Sequence, residues 1–580
     1  MIPSVRRIII FNRQALRHYF NADFLLCFQL GEVIHQTGEG AVQQTAAEKV
    51  FLRKSSGMVR GFSLRDMFVF NMCGLAPTAM MSAMFALSAA YYPAANVLWS
   101  LIMAIPFVLC FAISYACLSG AMPRSGGDYV FSSRVLGPVP GLVGGLIYNQ
   151  PVRILADSSL PIYFFSYVLP MTLVLSFPGN SAVQGFVSMM SNPAMIIAFG
   201  TIVIWGACAT AVFGAKPLKV MFYIMATAGL LAAAIIIVEL AVSTPASFIQ
   251  AFNAWGSQYG TSYSSIVNTA TSLGWDPSSI KDSLFVSLAP ITFLFEFIFT
   301  AWPIYLASEV KSAEKAVPYS IISSILVALG ISITIAALYV MVVPKDFMAA
   351  LSYLAYVAPS GHYPLPWNPE MITLLSVVFR NPITTLLVGF GVTLFELSFI
   401  FGDFIGVSRT YFYWAFDRLI PSKFASVNAR TKTPVFSLVF YGCVVEAVMF
   451  VAVYSNILSW IANLMVLMIV GFTPAMISAA FLAYRRRDIF EKAPGWIQRR
   501  IFGIPVPTIA GGIASCFMIT LFILAAVVFP SFGGPTTPVM VAFMLFWIVI
   551  TIPWYYFVRY YHLRKEGIDI SWAFQQVPPA

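Results

Sequence analysis

Residues 97–118 read VLWSLIMAIPFVLCFAISYACL, twenty-two residues without a charged side chain. A helix of about twenty apolar residues is long enough to cross the hydrocarbon core of a bilayer, which is roughly 30 Å thick. Two other apolar runs, Ile321–Val343 and Val435–Tyr454, have a similar length. These stretches therefore predict membrane-spanning α-helices.

The composition of the whole chain agrees with that prediction. Of the 580 residues, 59% are hydrophobic and only 10% are charged, whereas soluble domains are about 45–50% apolar and about 25% charged. In lipid, every backbone polar group needs an internal partner, so only helices and closed barrels cross a membrane. The strands of membrane barrels alternate between apolar and polar residues over about ten residues. The runs in this sequence show no such alternation. An all-α polytopic protein in contact with the lipid bilayer is predicted.

The apolar runs predict about twelve transmembrane helices. Their approximate bounds are 67–92, 95–119, 140–176, 193–213, 218–243, 284–308, 318–343, 382–408, 434–455, 457–484, 506–529 and 538–560. The segment before them is polar enough to be cytoplasmic and lacks the pattern of a secretory signal. Met58 is a second candidate start within it.

The distribution of the basic residues predicts the orientation of the chain in the membrane. Of the 33 Lys and Arg residues, 29 fall in the N-terminal segment, the connections that follow even-numbered spans, and the C-terminal end. Three lie on the opposite side, and Arg153 lies within a span. Cytoplasmic segments carry the excess of basic residues, so both termini are predicted to be cytoplasmic, in a multi-pass protein of the cell membrane. This distribution also explains the net charge of +10 without a nucleic-acid partner.

Enzymatic motifs are missing from the sequence. The seven cysteines are scattered and have no metal-ligand spacing, and the four histidines form no cluster. No phosphate-binding loop of the Walker type is present. We therefore expect no catalytic residues, no metal and no cofactor, and a small molecule as the partner.

Two spans contain features that interrupt a helix. The first has Gly74-Leu75-Ala76-Pro77-Thr78, and the sixth has Phe299-Thr300-Ala301-Trp302-Pro303. Unwound backbone in the middle of a membrane often binds substrate in transporters. Each proline suits the first turn of a following half-helix, whose N-terminus attracts an anion such as a carboxylate. The alternative is that both prolines only kink continuous helices.

Charged residues inside the spans are the second indication of function. Arg153 and Asp157 are four residues apart on the third span, so we predict that they pair. Unpaired, either would cost roughly 2.5–3.5 kcal/mol at the bilayer centre on insertion scales. The other acids within spans are Glu239, Glu296, Glu396, Asp403 and Glu446. Six acids against one base predict either protonated acids or a cation that visits them.

Three short motifs resemble those of amino acid permeases of the amino acid–polyamine–organocation superfamily. After the second span comes Ala121-Met122-Pro123-Arg124-Ser125-Gly126-Gly127-Asp128-Tyr129, followed by Arg134-Val135-Leu136-Gly137, and after the sixth come Glu309-Val310-Lys311 and Pro318. After the eighth come Ser408-Arg409, Asp417-Arg418-Leu419-Ile420-Pro421 and Thr433-Pro434. The order and the helix ends are those of the family, and the resemblance covers about residues 60–560.

The resemblance implies a leucine-transporter-like fold, in which five helices are repeated in inverted orientation and spans one and six are discontinuous. The expected regions are a cytoplasmic segment (1–66), the first repeat (67–243), an extracellular loop (244–283), the second repeat (284–484), a cytoplasmic loop (485–505), two further spans (506–560) and a cytoplasmic tail (561–580). Relatives bind the substrate carboxylate at the first break and its amino group near the sixth span.

The implied function is that of a secondary transporter that moves an amino acid across the cytoplasmic membrane. The candidate substrate-binding residues are Gly74, Leu75, Ala76, Thr78, Phe299, Thr300, Ala301, Trp302 and Asp403. The candidates for a coupling or charge network are Arg153, Asp157, Glu296 and Glu396. Coupling to protons or sodium stays open, because the lysine found midway along the fifth span of some proton-coupled relatives is absent. The surplus of acids favours, as an alternative, a transporter or exchanger of polyamines or other organic amines.

Overall fold

The fold is that of a helical membrane protein. In a computed structural model of the chain, the described residues are 57–379, 381–455, 464–529 and 538–578. Within those ranges the only strands are the two-residue β1 (Arg500–Ile501) and β2 (Ile504–Pro505), which pair antiparallel in a short hairpin. The hairpin lies in the predicted loop 485–505.

The described residues of the first half of the chain form ten α-helices. They are α1 (Leu64–Leu75), α2 (Ala79–Tyr91), α3 (Val97–Ala121), α4 (Gly127–Val135), α5 (Pro138–Ile147), α6 (Arg153–Tyr163), α7 (Leu169–Ser176), α8 (Ser181–Met190), α9 (Pro193–Val212) and α10 (Ala215–Val242). Short π-helical segments, Tyr148–Val152 and Phe164–Val168, join α5 to α6 and α6 to α7. The third span is therefore one continuous helix of 39 residues.

The second half continues with eleven further α-helices in the described residues. They are α11 (Pro245–Gly256), α12 (Tyr263–Ser272), α13 (Ala313–Val342), α14 (Lys345–Tyr356), α15 (Met371–Phe379), α16 (Pro382–Phe416), α17 (Val435–Tyr454), α18 (Leu464–Arg485), α19 (Arg487–Phe490), α20 (Val506–Ile523) and α21 (Pro538–Glu566). Short 3₁₀ turns cover Ser257–Tyr259, Pro277–Ile280, Val286–Leu288, Ser422–Ala425 and Ile570–Gln575, and a π-helical segment covers Leu524–Val528. A much longer 3₁₀ helix covers Pro290–Glu309.

Ten helices of the described residues are long and apolar enough to cross a membrane. They correspond to all the predicted spans except the first and the sixth. The first is divided between α1 and α2, and the sixth is the 3₁₀ helix Pro290–Glu309. The total of twelve spans and the inverted repeat remain predictions.

The first span is interrupted where the sequence places the break. The helix α1 starts at a capping box formed by Ser63 and Asp66 and ends at Leu75. Ala76 then takes a left-handed conformation with a φ of 35°, and its N–H donates to the carbonyl of Met72. The second half-helix starts only at Ala79, so Pro77 lies in the turn before it. The expectation that Pro77 occupies the first turn of α2 is wrong.

The sixth span is not interrupted in the way that the sequence suggests. Pro290–Glu309 is a single 3₁₀ helix with Pro303 inside it. The reason lies in the backbone angles, since the φ of about −65° that proline imposes suits 3₁₀ geometry. At roughly 2.0 Å per residue, these twenty residues extend about 40 Å. The prediction of two half-helices here is therefore wrong.

The helix α16 lies at the centre of the helical core. It packs against α10, α7, α17 and α1, and every residue from Leu397 to Phe416 is buried. Such a helix is expected to be apolar all round, yet Asp403 and Arg409 are buried within it. The polar groups that satisfy these two charges define the candidate functional site.

Candidate functional site

The indole of Trp302 fills the space beside the break in the first span. A Cβ atom added to Gly74 would lie 2.6 Å from Cδ2 of Trp302, and one added to Gly402 would lie 2.2 Å from its Cζ3. Glycine is therefore needed on both sides of the ring. Phe70 and Phe399 contact the same indole, with ring centroids at 5.3 and 5.4 Å. The first, sixth and eighth spans thus meet at Trp302.

The predicted substrate-binding residues of the first span are all buried. Gly74, Leu75, Ala76 and Thr78 line the interruption, and the Oγ1 atom of Thr78 has no hydrogen-bond partner among the described residues. The helix α2 begins there without a side-chain cap, so its first N–H groups face the interruption. This end of α2 has the properties of an anion-binding site.

The opposite side of the interruption carries carbonyl groups. The hydroxyl of Ser398 on α16 donates to the carbonyl oxygen of Cys73 at 3.0 Å. Ala301 and Trp302 lie close by and are 2% exposed. The side chains of residues 292–300, which include Glu296, Phe299 and Thr300, lie outside the described part of the structure. The predictions for those three residues stay predictions.

Arg153 pairs with Asp403 of the eighth span. Its Nε lies 3.1 Å from Oδ1 of Asp403, and both side chains are almost completely buried. The expected pairing with Asp157 is wrong, since no nitrogen of Arg153 lies within 4 Å of that carboxylate. A π-helical segment ends immediately before Arg153. The guanidinium instead reaches across to α16, where Gly406 leaves room: a Cβ there would lie 1.9 Å from Nη1.

Two aromatic rings and an amide complete the surroundings of Arg153. The guanidinium carbon lies 4.3 Å from the ring centre of Tyr148 and 4.5 Å from that of Tyr305. Nη1 donates to Oδ1 of Asn149 at 3.0 Å. Stacking of this kind stabilises a desolvated guanidinium more than an ammonium group. Arg153 is thus held in place by three spans.

Asp157 is the second acid of the same cluster. The hydroxyl of Tyr441 on α17 donates to its Oδ2 at 2.8 Å. Its carboxyl group also interacts electrostatically with that of Asp403. Glu446, on the same helix as Tyr441, accepts a hydrogen bond from Thr201 instead.

A further acid, Glu370, was not anticipated from the sequence. It precedes α15 between the predicted seventh and eighth spans, is 6% exposed, and accepts hydrogen bonds from Tyr163 at 2.8 and 2.9 Å. Ser82 of α2 donates to it at 3.4 Å, so Glu370 connects the loop to the first and third spans. The predicted candidate Glu396 is near enough to interact with it electrostatically. The only indication of Glu370 in the sequence is that a single acidic residue directly precedes the apolar run 371–379.

The three sequence motifs meet at the end of the molecule predicted to be cytoplasmic. Ser125 and Ser308 exchange hydrogen bonds at 2.8 and 3.1 Å, which joins the first motif to the second. Arg409 binds Glu309 at 2.9 Å, which joins the second to the third.

The first and third motifs are joined by an ion pair. The guanidinium of Arg134 forms a bidentate ion pair with the carboxylate of Asp417, in which the two N–O distances are 2.7 and 2.8 Å. Both side chains are fully buried. The hydroxyl of Tyr129 donates to the same carboxylate at 2.6 Å. Together these contacts form a buried polar network at the end predicted to be cytoplasmic; residues 125–134, 308–309 and 409–417 are called the inner closure below.

The site combines the uncapped N-terminus of α2, the free hydroxyl of Thr78 and a buried ion pair. In the ranges described, no three His, Cys, Asp or Glu side chains are placed to hold a metal ion. A family model described as amino acid permease matches residues 67–552. A search of curated proteins found no match to the chain.

Proposed function

The chain belongs to the amino acid permease family, and from that premise we propose that it carries an amino acid across the cytoplasmic membrane by alternating access. Membership of this family implies a transporter rather than an enzyme. The observation that carries the proposal is the interruption at Ala76–Thr78, which lies against Trp302 inside a buried site.

The proposed binding mode uses the two ends of the interruption. The N-terminus of α2 and the free hydroxyl of Thr78 would bind the carboxylate, because helix N-termini attract anions. The carbonyls at the end of α1 would accept hydrogen bonds from the ammonium group. Asp403 would act through its pair with Arg153, which already balances its charge. Trp302 would have to move to admit a side chain.

The proposed cycle opens two closures in turn. The inner closure consists of the three motifs, and the outer one consists of Glu370 with Tyr163 and Ser82. Both are formed in the structure, and the candidate site between them is buried. In the inverted-repeat arrangement implied by the family, rocking of one bundle against the other would break one set of contacts at a time.

The organic-amine alternative has one specific observation in its favour. No Lys, Arg or His of the described residues lies within 4 Å of Glu370 or Glu396, yet both are in the protein interior. Tyr163 and Tyr167 lie beside them, with stacked rings at 5.3 Å. Carboxylates and aromatic faces together attract organic cations. An amine such as putrescine is therefore the second candidate substrate.

The test is uptake of labelled amino acids and amines into liposomes that contain the purified protein, under imposed proton or sodium gradients. We expect saturable uptake of at least one amino acid, inhibited by other α-amino acids and not by putrescine. Uptake that putrescine inhibits and carboxylate-only analogues do not affect would favour the amine carrier. Absence of uptake for the whole panel, from a correctly inserted protein, would contradict both candidates.

A further inference from the structure

The cluster around Arg153 contains two neighbouring acids, Asp157 and Asp403, and one base; a third buried acid, Asp128, accepts a hydrogen bond from the hydroxyl of Tyr305 and interacts with Arg153 at longer range. Arg153 pairs with Asp403, and the carboxyl groups of Asp157 and Asp403 interact with each other. Two ionised carboxylates in contact repel each other, and in an apolar interior one of them retains a proton. The structure thus contains a place where a proton can be bound deep in the membrane.

The groups that face Asp157 can be named helix by helix. Arg153 comes from its own helix α6, Asp403 from α16 and Tyr441 from α17. The carboxylate of Glu446, also on α17, accepts a hydrogen bond from the hydroxyl of Thr201 on α9. Tyr148, from the π-helical segment before α6, faces the guanidinium. No second cation from the described residues lies within 4 Å of either acid.

Two polar atoms of the cluster are available to form a hydrogen bond when a proton binds. Oδ1 of Asp157 and Nη2 of Arg153 are buried and have no hydrogen-bond partner among the described residues. A proton on Asp157 turns its carboxyl group into a donor to Asp403, and Asp403 stays ionised beside Arg153. Arg153, Asp403 and Asp157 then carry no net charge together. Loss of that proton leaves two carboxylates for one guanidinium, so the cluster carries a net negative charge.

The cluster is mechanically connected to the candidate substrate site. Asp403 directly follows Gly402, against which Trp302 packs. Tyr305 follows Trp302 by one turn of the same 3₁₀ helix, and its ring stacks on Arg153 at 4.5 Å. A movement of Trp302 that admits substrate would therefore change the surroundings of Arg153, and with them the balance between the two acids.

We propose that Asp157 and Asp403 together bind and release the proton that is coupled to transport. Asp157 is the group that gains and loses the proton, and Asp403 keeps the ion pair with Arg153. This inference rests on the proposed transport function, and it names the coupling site of that function. The proton is taken up on one side of the membrane and released on the other, without any change in covalent bonds.

The test compares wild-type protein with Asp157→Asn in liposomes that contain a pH-sensitive dye. We expect substrate to cause a change of internal pH with the wild type, and the proton flux per substrate to fall at least tenfold with Asp157→Asn. Exchange of labelled for unlabelled substrate should persist in the variant. Glu446→Gln is the control, because it neutralises a half-buried acid on α17, the helix that carries Tyr441, and should leave the proton flux unchanged.

A second variant covers the case in which Asp157→Asn does not insert. Tyr441→Phe removes only the hydroxyl that stabilises the ionised form of Asp157, so it should shift the pH dependence of transport toward higher pH. An unaltered pH dependence in Tyr441→Phe, or proton flux retained in Asp157→Asn, would overturn the proposal. Transport by the wild type without proton movement would also overturn it while leaving the proposed function intact. Absence of all transport would instead refute the function itself.

Discussion

The Nε atom of Arg153 lies 3.1 Å from Oδ1 of Asp403, and this contact joins the third span to the eighth. The side chains are 1% and 4% exposed, so water screens the pair very little. Because Gly402 packs on Trp302, the contact also places the buried charges one residue away from the candidate substrate site. The candidate substrate site and the buried ion pair are thus adjacent in the structure.

The first prediction concerns that pair. Asp403→Asn leaves the guanidinium of Arg153 without its counter-ion, and breaking a buried pair in this way costs about 3–5 kcal/mol. We expect uptake into liposomes to fall at least about tenfold and the melting temperature in detergent to decrease. Asp282→Asn is the control, since Asp282 pairs with Lys345 but is 52% exposed. Wild-type kinetics in Asp403→Asn would exclude it from the site.

A double variant separates charge balance from a direct role in binding. Arg153→Gln combined with Asp403→Asn removes both charges, so it should be more stable than either single variant. Thermal unfolding of the four proteins measures the coupling between the two positions. If the double variant regains stability but not uptake, the pair has a functional role beyond charge balance. A double variant no more stable than the singles would contradict the ion pair.

The second prediction concerns the space around Trp302. In Gly402→Ala the new methyl group would lie 2.2 Å from Cζ3 of the indole, so the ring must shift. Overpacking of this kind typically costs about 1–3 kcal/mol, and we expect the KM of uptake to change by at least about fivefold. Gly206→Ala is the control, because nothing lies within 4 Å of its added Cβ. Equal kinetics in the two variants would contradict the placement of Trp302.

Much of the fold could be predicted because lipid constrains a chain severely. Ten of the predicted spans coincide with long apolar helices, since each must bury about twenty residues in hydrocarbon. The break at Ala76 could also be predicted from the sequence, because glycine and proline interrupt a helix locally. The continuous 3₁₀ helix of the sixth span was not readable, since proline at 303 is compatible with both a break and 3₁₀ geometry.

The contacts of the site were harder to predict because they depend on positions far apart in the chain. Arg153 and Asp157 have the spacing of a helical ion pair, but the preceding π-helical segment and Gly406 direct the guanidinium to Asp403. Glu370 meets Tyr163 across 207 residues, and no local pattern indicates that contact. The motifs after spans two, six and eight were identified individually, but their contacts with one another required the structure.

The third prediction concerns the inner closure. Asp417→Asn removes one charge from the buried contact between Arg134 and Asp417, so we expect a loss of about 3–5 kcal/mol of stability. Glu566→Gln is a matched control, because it removes the acid that pairs with the neighbouring Arg418 but is 39% exposed. Exposed pairs contribute about 0–1 kcal/mol. Thermal unfolding in detergent tests both, and equal losses would contradict the buried network.

The fourth prediction concerns the outer closure and the substrate. Tyr163→Phe removes the hydroxyl that donates to Glu370, so the outer closure should open more easily. We expect faster reaction of an impermeant thiol reagent with a cysteine introduced at Thr78, and substrate should slow that reaction. Tyr259→Phe, in a connecting turn, serves as the control. An unchanged rate in Tyr163→Phe would show that Glu370 does not hold the outer side closed.

The most direct measurement of the central claim is counterflow in liposomes that contain the wild-type protein. The liposomes are loaded with an unlabelled amino acid, and the labelled form is added outside at low concentration. If the buried site between Ala76, Trp302 and Asp403 opens to one side at a time, labelled substrate should accumulate transiently above equilibrium, and the effect should saturate. Entry that is linear in concentration and unaffected by internal substrate would contradict transport by alternating access.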